Sequence, residues 1–427
     1  MAKIIRSGRA GKWRNGLLRW IPLRLKEQIN RAARHPVFNL SFYLQFQPSS
    51  IENLGLNIAR LRGSPKLGER RRIAFVTPHL GPGGAENVLL EMARSLDRSR
   101  NEIFVIATHS RDSRYRHIWN QNADHVFDLS SESEPQAIPS VLYSLILNWQ
   151  MDSVVLQNTL FAYSVIPYWK RDRPQLKLID LIHAVGRPWD IARATASVAT
   201  HLDTRIVISE AARKNLIALG TREDRIRLIL NGIDLDHFRP VPPPGGPVFR
   251  MLFAGRLDSV KRPLLLVDIA RALVRTQPSR EFRITVAGDG PEESALRRRI
   301  RSAGVEHLFE CKGYVPDLAP LLAGCGALLL TSSNEGIPLT ILEAFATARP
   351  VIASRAGAIE EALDENTGAL IDFGAREAER FAEAIAKLMD NPDLARRMGT
   401  EARRRAELRY SQQRARQLYQ QTLEGSA

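Results

Sequence analysis

The chain has 427 residues, with 61 Lys and Arg against 46 Asp and Glu and a formal charge of +15. At 44% apolar and 25% charged residues it has the composition of a folded globular chain, which excludes wholesale disorder. Its length predicts two or three domains at roughly 100–200 residues each. Cys311 and Cys325 are the only cysteines and cannot build a disulfide framework, and no Cys or His spacing reads as a zinc site. A reducing, cytoplasmic setting is the expectation.

The charge is unevenly placed. Residues 1–72 hold 16 Lys and Arg and three acids, a net of +13, whereas the remaining 355 carry 45 basic and 43 acidic side chains. A nucleic-acid-binding enzyme spreads its basic residues along a groove of the fold. Here a nearly neutral body carries a basic arm, and no nucleic acid is expected as a partner. Within the arm Trp13, Leu17, Trp20 and Ile21 recur at helical spacing among Lys12, Arg14, Arg19 and Arg24. Such a helix suits an anionic membrane surface, charges on phosphates and rings at the acyl boundary; packing on the body is the competing reading. Phe38, Leu40, Phe42, Leu44 and Phe46 alternate with polar or aromatic residues, the period of a half-buried strand. No secretory signal is expected, because Arg19, Pro22 and Arg24 interrupt the apolar residues near the start. The longest apolar run, 141–147, falls short of the ~18 residues needed to span a bilayer.

From residue 72 onward short apolar strands alternate with amphipathic helices. Strands are predicted at 73–77, 103–108, 153–157, 178–182 and 205–208, with helices at 86–96 and 210–219. The stretch 240–247, five prolines and two glycines, reads as a linker. The pattern then repeats, with strands at 251–254, 283–287, 327–331 and 350–354 and helices at 262–274, 294–302, 339–346 and 378–388. Alternating strands and helices predict parallel, doubly wound sheets. Two such domains in tandem would face each other across a cleft, and open sheets bind ligands beyond their strand carboxyl ends. The expected division is a basic extension over 1–71, a first Rossmann-like domain over 72–239, a linker over 240–248 and a second Rossmann-like domain over 249–408. A C-terminal helix over 409–427 would then return to the first domain.

Three motifs fall at those strand ends. Gly81-Pro82-Gly83-Gly84-Ala85-Glu86 joins a strand to a helix, where glycines admit close backbone approach and the helix start offers amides to an anion. Arg256 and Lys261 follow the first strand of the second half, near Gly288-Asp289-Gly290-Pro291, and two cations so placed suit a diphosphate. Glu335-Gly336-Ile337-Pro338-Leu339 enters a helix that carries Glu343 eight residues on. Eight helical residues span about 12 Å, too far for the paired carboxylates of a glycosidase, which stand roughly 5–9.5 Å apart. The spacing suits the two ends of a nucleotide sugar.

Together with Ile182-His183-Ala184, Ile208-Ser209 and Asn231-Gly232-Ile233-Asp234, these motifs agree in order and spacing with a known family. Over about residues 72–425 the chain resembles the retaining glycosyltransferases of family 4, which have the GT-B fold of two Rossmann-like domains facing across a cleft. The resemblance implies a hexosyl transfer with retention of configuration, no metal ion and no cofactor. Arg256 and Lys261 would hold the donor diphosphate, Glu335 the transferred sugar, Glu343 the ribose, and His183 would lie beside the reacting centre. Gly83, Gly84, Gly336, Ile337, Pro338 and Leu339 would line the donor site. A lipid-linked or polysaccharide acceptor would meet the loops 109–117 and 169–193, with the enzyme peripheral on the inner face of the plasma membrane. A sugar phosphorylase or nucleotide-sugar hydrolase on the same cleft is the alternative, and a non-enzymatic basic nucleic-acid binder the alternative of a different class. Arg262 and Arg349 depart from the family pattern and could alter donor preference. Asp234-Leu235-Asp236 resembles a metal-binding DxD, though a turn is the expected reading, and His79, His109 and His237 read as local polar residues.

Overall fold

The computed structural model describes residues 68–425, except 110–111, 134–136, 187–190 and 243–244. The basic arm up to residue 67, and the strand expected around Phe38–Phe46, therefore lie outside the described residues.

Seven parallel strands form the first sheet: β1 Arg71–Thr77, β2 Asn101–Ala107, β3 His125–Asp128, β4 Ser153–Gln157, β5 Lys177–Ile182, β6 Thr204–Val207 and β7 Ile226–Leu228. Their order is β3-β2-β1-β4-β5-β6-β7. Six further strands form the second: β8 Phe249–Ala254, β9 Phe282–Ala287, β10 Phe309–Gly313, β11 Ala327–Leu330, β12 Val351–Ser354 and β13 Gly368–Ile371, in the order β10-β9-β8-β11-β12-β13. All their pairings are parallel, and central strands such as β4 are apolar and fully buried because helices cover both faces. The principal helices are α1 Gly84–Arg94, α2 Ile138–Asn148, α3 Leu160–Asp172, α4 Glu210–Ala218, α5 Leu265–Thr276, α6 Glu293–Ser302, α7 Leu339–Ala346, α8 Glu377–Asp390, α9 Pro392–Arg409 and α10 Gln412–Glu424. Two apolar cores flank the first sheet and two the second, so both are doubly wound.

The apolar run 141–147 is the buried body of α2, and no helix among the described residues is long and apolar enough to cross a membrane. The chain's last helix closes the architecture: α10 lays Ala415, Tyr419 and Leu423 into a core of the first sheet. Arg71 donates to the carbonyls of Leu423 and Glu424 at its end, and Arg416 pairs with Glu91 on α1 at 2.6 Å. Charge at a helix C-terminus is favourable for a cation, so Arg71 both caps and complements the dipole.

Two of the departures from the family pattern prove structural. Arg349 is buried, and its guanidinium donates to the carbonyls of Leu322, Ala323 and Val241 at 2.9, 2.9 and 3.1 Å. It ties the interdomain linker to the end of a short helix. Arg262 forks onto Glu377 of α8 at 3.1 and 2.6 Å and lies over the Phe373 ring. Both guanidinium groups are engaged within the fold.

Beneath the first sheet's ligand edge lies a buried ion pair. Asp180 on β5 and Arg205 on β6 meet at 2.7 Å, with side chains 0% and 1% exposed, and Tyr163 of α3 and Thr195 complete the hydrogen bonding. Removing one partner strands the other charge without water, which costs about 3–5 kcal/mol. Arg205→Met should therefore lower unfolding stability by that order in urea titration, whereas an exposed arginine such as Arg222, paired with Asp224 at the surface, should matter little when replaced by Met.

Candidate active site

The carboxyl ends of both sheets meet at one line of backbone contact. Gly336, just before α7, is buried against the carbonyl of His183, just after β5, and a Cβ on Gly336 would collide with that oxygen. The neighbouring Asn334 donates its amide to the carbonyls of Val185 and Gly186 at 3.1 and 3.4 Å. From the other side Ala358 donates its backbone N–H to Glu335 at 3.0 Å, and Gly357, at φ +57°, leaves no room there for a Cβ. These contacts set Glu335 beside His183, one from each half of the chain.

Glu335 faces inward, with its side chain 12% exposed, and forms an ion pair with Lys261. Lys261 is held in turn by a turn that Asp258 caps, its carboxylate accepting from the N–H groups of Val260 and Lys261 at 3.0 Å each. Arg256, in the same loop, is 61% exposed and has only a 3.6 Å approach to Asp258. That loop interlocks with the one after β9: Gly288 sits at φ +151° where a Cβ would meet the Gly255 carbonyl. The glycines of Gly288-Asp289-Gly290-Pro291 are thus needed for loop against loop, which fixes where Arg256 emerges.

His183 donates from Nε2 to the Gln157 side-chain oxygen at 3.2 Å, an assignment consistent with the Gln157 amide pointing to Thr77 at 3.5 Å. Burial pushes its pKa down to about 4, so the imidazole is neutral at pH 7 and presents Nδ1 as an acceptor.

The glycine loop after β1 divides its two glycines between two jobs. The place of a Gly83 side chain is taken by the Glu86 carboxylate, which folds back over the start of α1. Beside Gly84 nothing lies within 4 Å of where a Cβ would stand, so the loop is open on that side. Burial raises Glu86 to about 7, with Asp112 adding to the rise and its own backbone N–H and Arg256 across the cleft opposing it.

The approach to Glu343 differs from the continuous helix assumed from sequence. Pro338 is extended at φ −63° and ψ 137°, and α7 begins at Leu339, so only half of the spacing from Glu335 to Glu343 is helical. The 12 Å estimate for eight helical residues does not apply. Ile337 is buried in the second sheet's core, with its carbonyl accepting from Asn231 at 3.2 Å, so only its backbone can serve a ligand. Leu339 packs against cores of both sheets. Glu343 is sunk in the cleft, and its Oε2 has no hydrogen-bond partner. Burial first, then Asp317, raises its pKa to about 7 against the pull of His237.

Asp234 accepts from the N–H groups of Asp236 and His237 at 3.0 and 2.9 Å, a side-chain turn of the kind Asp readily makes. No group of His, Cys, Asp and Glu among the described residues could hold a metal ion.

Comparison with known proteins matches this geometry to a family. Residues 82–237 match the family described as "Glycosyltransferase Family 4", and residues 236–405 match "Glycosyl transferases group 1". The chain belongs to the family-4 glycosyltransferases. A D-inositol 3-phosphate glycosyltransferase of Frankia alni is 31% identical over 222 residues, 48% of this chain and 54% of that one. Its counterpart from Nocardia farcinica is 28% identical over 272 residues, 60% of this chain and 57% of that one. The chain thus spans little more than half the length of these curated relatives. The solved structure of HepE from Anabaena with UDP and glucose aligns at a TM-score of 0.70 and 20% identity, covering 83% of this chain and 100% of that one. The family assignment and the alignment agree on two Rossmann-like sheets facing across a cleft, the GT-B architecture.

The raised pKa of Glu343 carries a signed prediction. Its folded pKa of about 7 exceeds its ordinary 4.5, so the folded chain binds the extra proton between those values and loses stability as pH rises through them. Relative to wild type, Glu343→Gln should be more stable at pH 8 by on the order of 1–3 kcal/mol in urea titration without ligand, with the gap closing towards pH 5.

Proposed function

We propose that this chain is a retaining glycosyltransferase that moves a sugar from a nucleotide-diphosphate donor to a lipid-linked or polysaccharide acceptor. The observation that carries the reading is the pairing of Lys261 with Glu335 beside neutral His183, under an exposed Arg256, where the two sheets' carboxyl ends meet. The relatives named as D-inositol 3-phosphate glycosyltransferases and the structural neighbour holding UDP and glucose support it.

In this reading Arg256 and Lys261 face the donor diphosphate and stabilise the negative charge that grows on it as the glycosidic bond breaks. Fixed cations in a partly dehydrated cleft are worth more there than in water. Glu335 gives up part of its contact with Lys261 to bind hydroxyls of the transferred sugar. Glu343, with its unmatched Oε2, takes the ribose hydroxyls. His183 accepts a hydroxyl hydrogen at Nδ1, and being neutral it adds no repulsion to a developing oxocarbenium ion. The leaving phosphate helps to take the acceptor proton, as the family resemblance implies.

A panel of nucleotide sugars screened by thermal shift identifies the donor, since a ligand at 100 times its dissociation constant stabilises by about 2.7 kcal/mol. With that donor, Glu335→Ala should lose at least about 100-fold in transfer, Arg256→Ala should lose nucleotide affinity and transfer together, and turnover should persist in EDTA. A fully active Glu335→Ala enzyme sinks the site assignment. Release of sugar 1-phosphate with inorganic phosphate, or of free sugar with water alone, in place of transfer would favour the phosphorylase or hydrolase reading.

The basic arm is proposed to bring the enzyme to an anionic cytoplasmic leaflet, where Lys and Arg contribute about 1 kcal/mol each near the surface. Full-length protein should co-sediment with phosphatidylserine vesicles at low salt and a version beginning at Arg72 should not; equal pelleting of both removes the arm as anchor.

A further inference from the structure

A loop from the first half of the chain reaches across the cleft and grips the second. After β2 the chain turns at Asp112, whose carboxylate accepts from the backbone N–H of Arg114 at 3.0 Å and from its Nε and Nη2 at 3.0 and 2.6 Å. The guanidinium is thereby held in one orientation before it meets anything else. Its remaining nitrogen, Nη1, donates to Asp289 at 2.9 Å, in the loop after β9 on the opposite side. The same guanidinium lies 4.3 Å over the ring of Tyr314, just beyond β10. Next in the chain, Tyr115 anchors its backbone N–H on the Leu80 carbonyl at 2.8 Å and sets its hydroxyl 3.5 Å from that of Tyr314. Tyr115 also feels the charge of Glu343, the residue with the unmatched carboxylate oxygen. One side of the contact is thus Asp112, Arg114 and Tyr115; the other is Asp289, Tyr314 and Glu343.

We infer that Arg114 and Tyr115 form a closing latch, supplied by the first domain, over the nucleoside end of the donor pocket, so that nucleotide binding and closure of the cleft reinforce each other. The inference rests on the donor reading above and gives Arg114 and Tyr115, in a loop that the family resemblance places at the acceptor, a role on the donor side. Arg114 is a positioning residue, since it acts on the donor through the closed geometry.

The strength of the contact suits such a latch. Arg114 and Asp289 are 41% and 45% exposed, and an exposed ion pair contributes about 0–1 kcal/mol. The ring contact adds a comparable amount. Held ready by Asp112, the guanidinium loses little freedom on closing, and the total remains small enough to break at every turnover. A nucleotide bound between Glu343 and Tyr115 would add its own contacts only in the closed state, which is what coupling requires.

The test uses the full-length protein with Arg114→Ala, Asp289→Ala and the double variant. Small-angle scattering without ligand should give a larger radius of gyration for each variant than for wild type. Calorimetric titration with UDP, GDP and ADP should show the nucleotide that binds wild type binding each single variant about 3- to 10-fold more weakly. The double variant should match Arg114→Ala, which already removes both the ion pair and the ring contact. Single variants that scatter and bind like wild type overturn the latch. Weaker binding without expansion, expansion without weaker binding, or additive losses in the double variant also overturn it, each breaking the coupling at a different point. If the single variants expand while no nucleotide binds even wild type, the closing contact stands and the donor reading falls.

Discussion

Everything at the cleft depends on a backbone approach that tolerates no side chain. Gly336 lies against the His183 carbonyl, and the Glu335 carbonyl in turn rests over Gly357 and the N–H of Ala358. A strand end of one sheet, a helix entry of the other and the loop after β12 are stacked main chain on main chain. Only this lets a glutamate from the second half stand next to a histidine from the first. The polar groups at the contact are matched: Asn334 satisfies two carbonyls across it, and Glu361 caps the start of α4 by accepting from the N–H groups of Glu210 and Ala211 at 2.7 Å each. A carboxylate at a helix N-terminus is favoured by the exposed amides and the dipole together.

Around that contact the charges are arranged so that an empty cleft is not strongly charged. Lys261 is balanced by Glu335, while burial raises Glu86 and Glu343 to about 7, which favours their neutral forms relative to an ordinary carboxylate. Two buried carboxylates held partly neutral repel an anion less than two full charges would. The placement of Glu86 over Gly83 suits this: the start of α1 already has an anion or its protonated form on its amides, and Gly84 alone stays open. His183 follows the same logic with the opposite sign, since burial strips the imidazole of its charge.

How far this could be read from sequence follows from burial. All nine strands expected from residue 72 onward exist, and every one of them has neighbours on both sides within its sheet. The four that were missed, β3, β7, β10 and β13, are the four sheet edges. A central parallel strand is buried on both faces and must be continuously apolar, whereas an edge strand such as Phe309–Gly313 alternates half-buried and exposed residues and reads as loop. The motif glycines were legible as a set, but their separate reasons were not. Gly83 makes room for Glu86, Gly288 for the loop of Gly255, and Gly336 for His183, and each partner is distant in sequence or hidden in a helix. Spacing singles out Glu335 and Glu343 as candidates; the break in helix between them is not legible, because Pro338 fits a helix entry as well as an extended turn. Arg114 carried no signal, since nothing in the chain relates residues 112–115 to Asp289 and Tyr314 before the sheets face each other.

The division of charge along the chain also takes on a physical meaning. Many arginines of the nearly neutral body are committed to closing the ends of helices, where carbonyls lack partners. Arg349 serves the end of a short helix under the linker and Arg403 donates to the Ala346 carbonyl at the end of α7 at 2.8 Å, and at the border of the basic stretch Arg71 does the same for α10. Others, such as Arg205 and Arg262, are locked onto carboxylates. A cation spent in this way contributes to stability and little to the long-range field. Arg256 differs because the turn that presents it is fixed by Asp258 and by the interlocked glycines, while its own guanidinium stays in solvent at the mouth of the cleft. In the body, then, an arginine's value to a ligand depends on what already satisfies it, and the surplus that sets the formal charge of +15 lies in the first 72 residues.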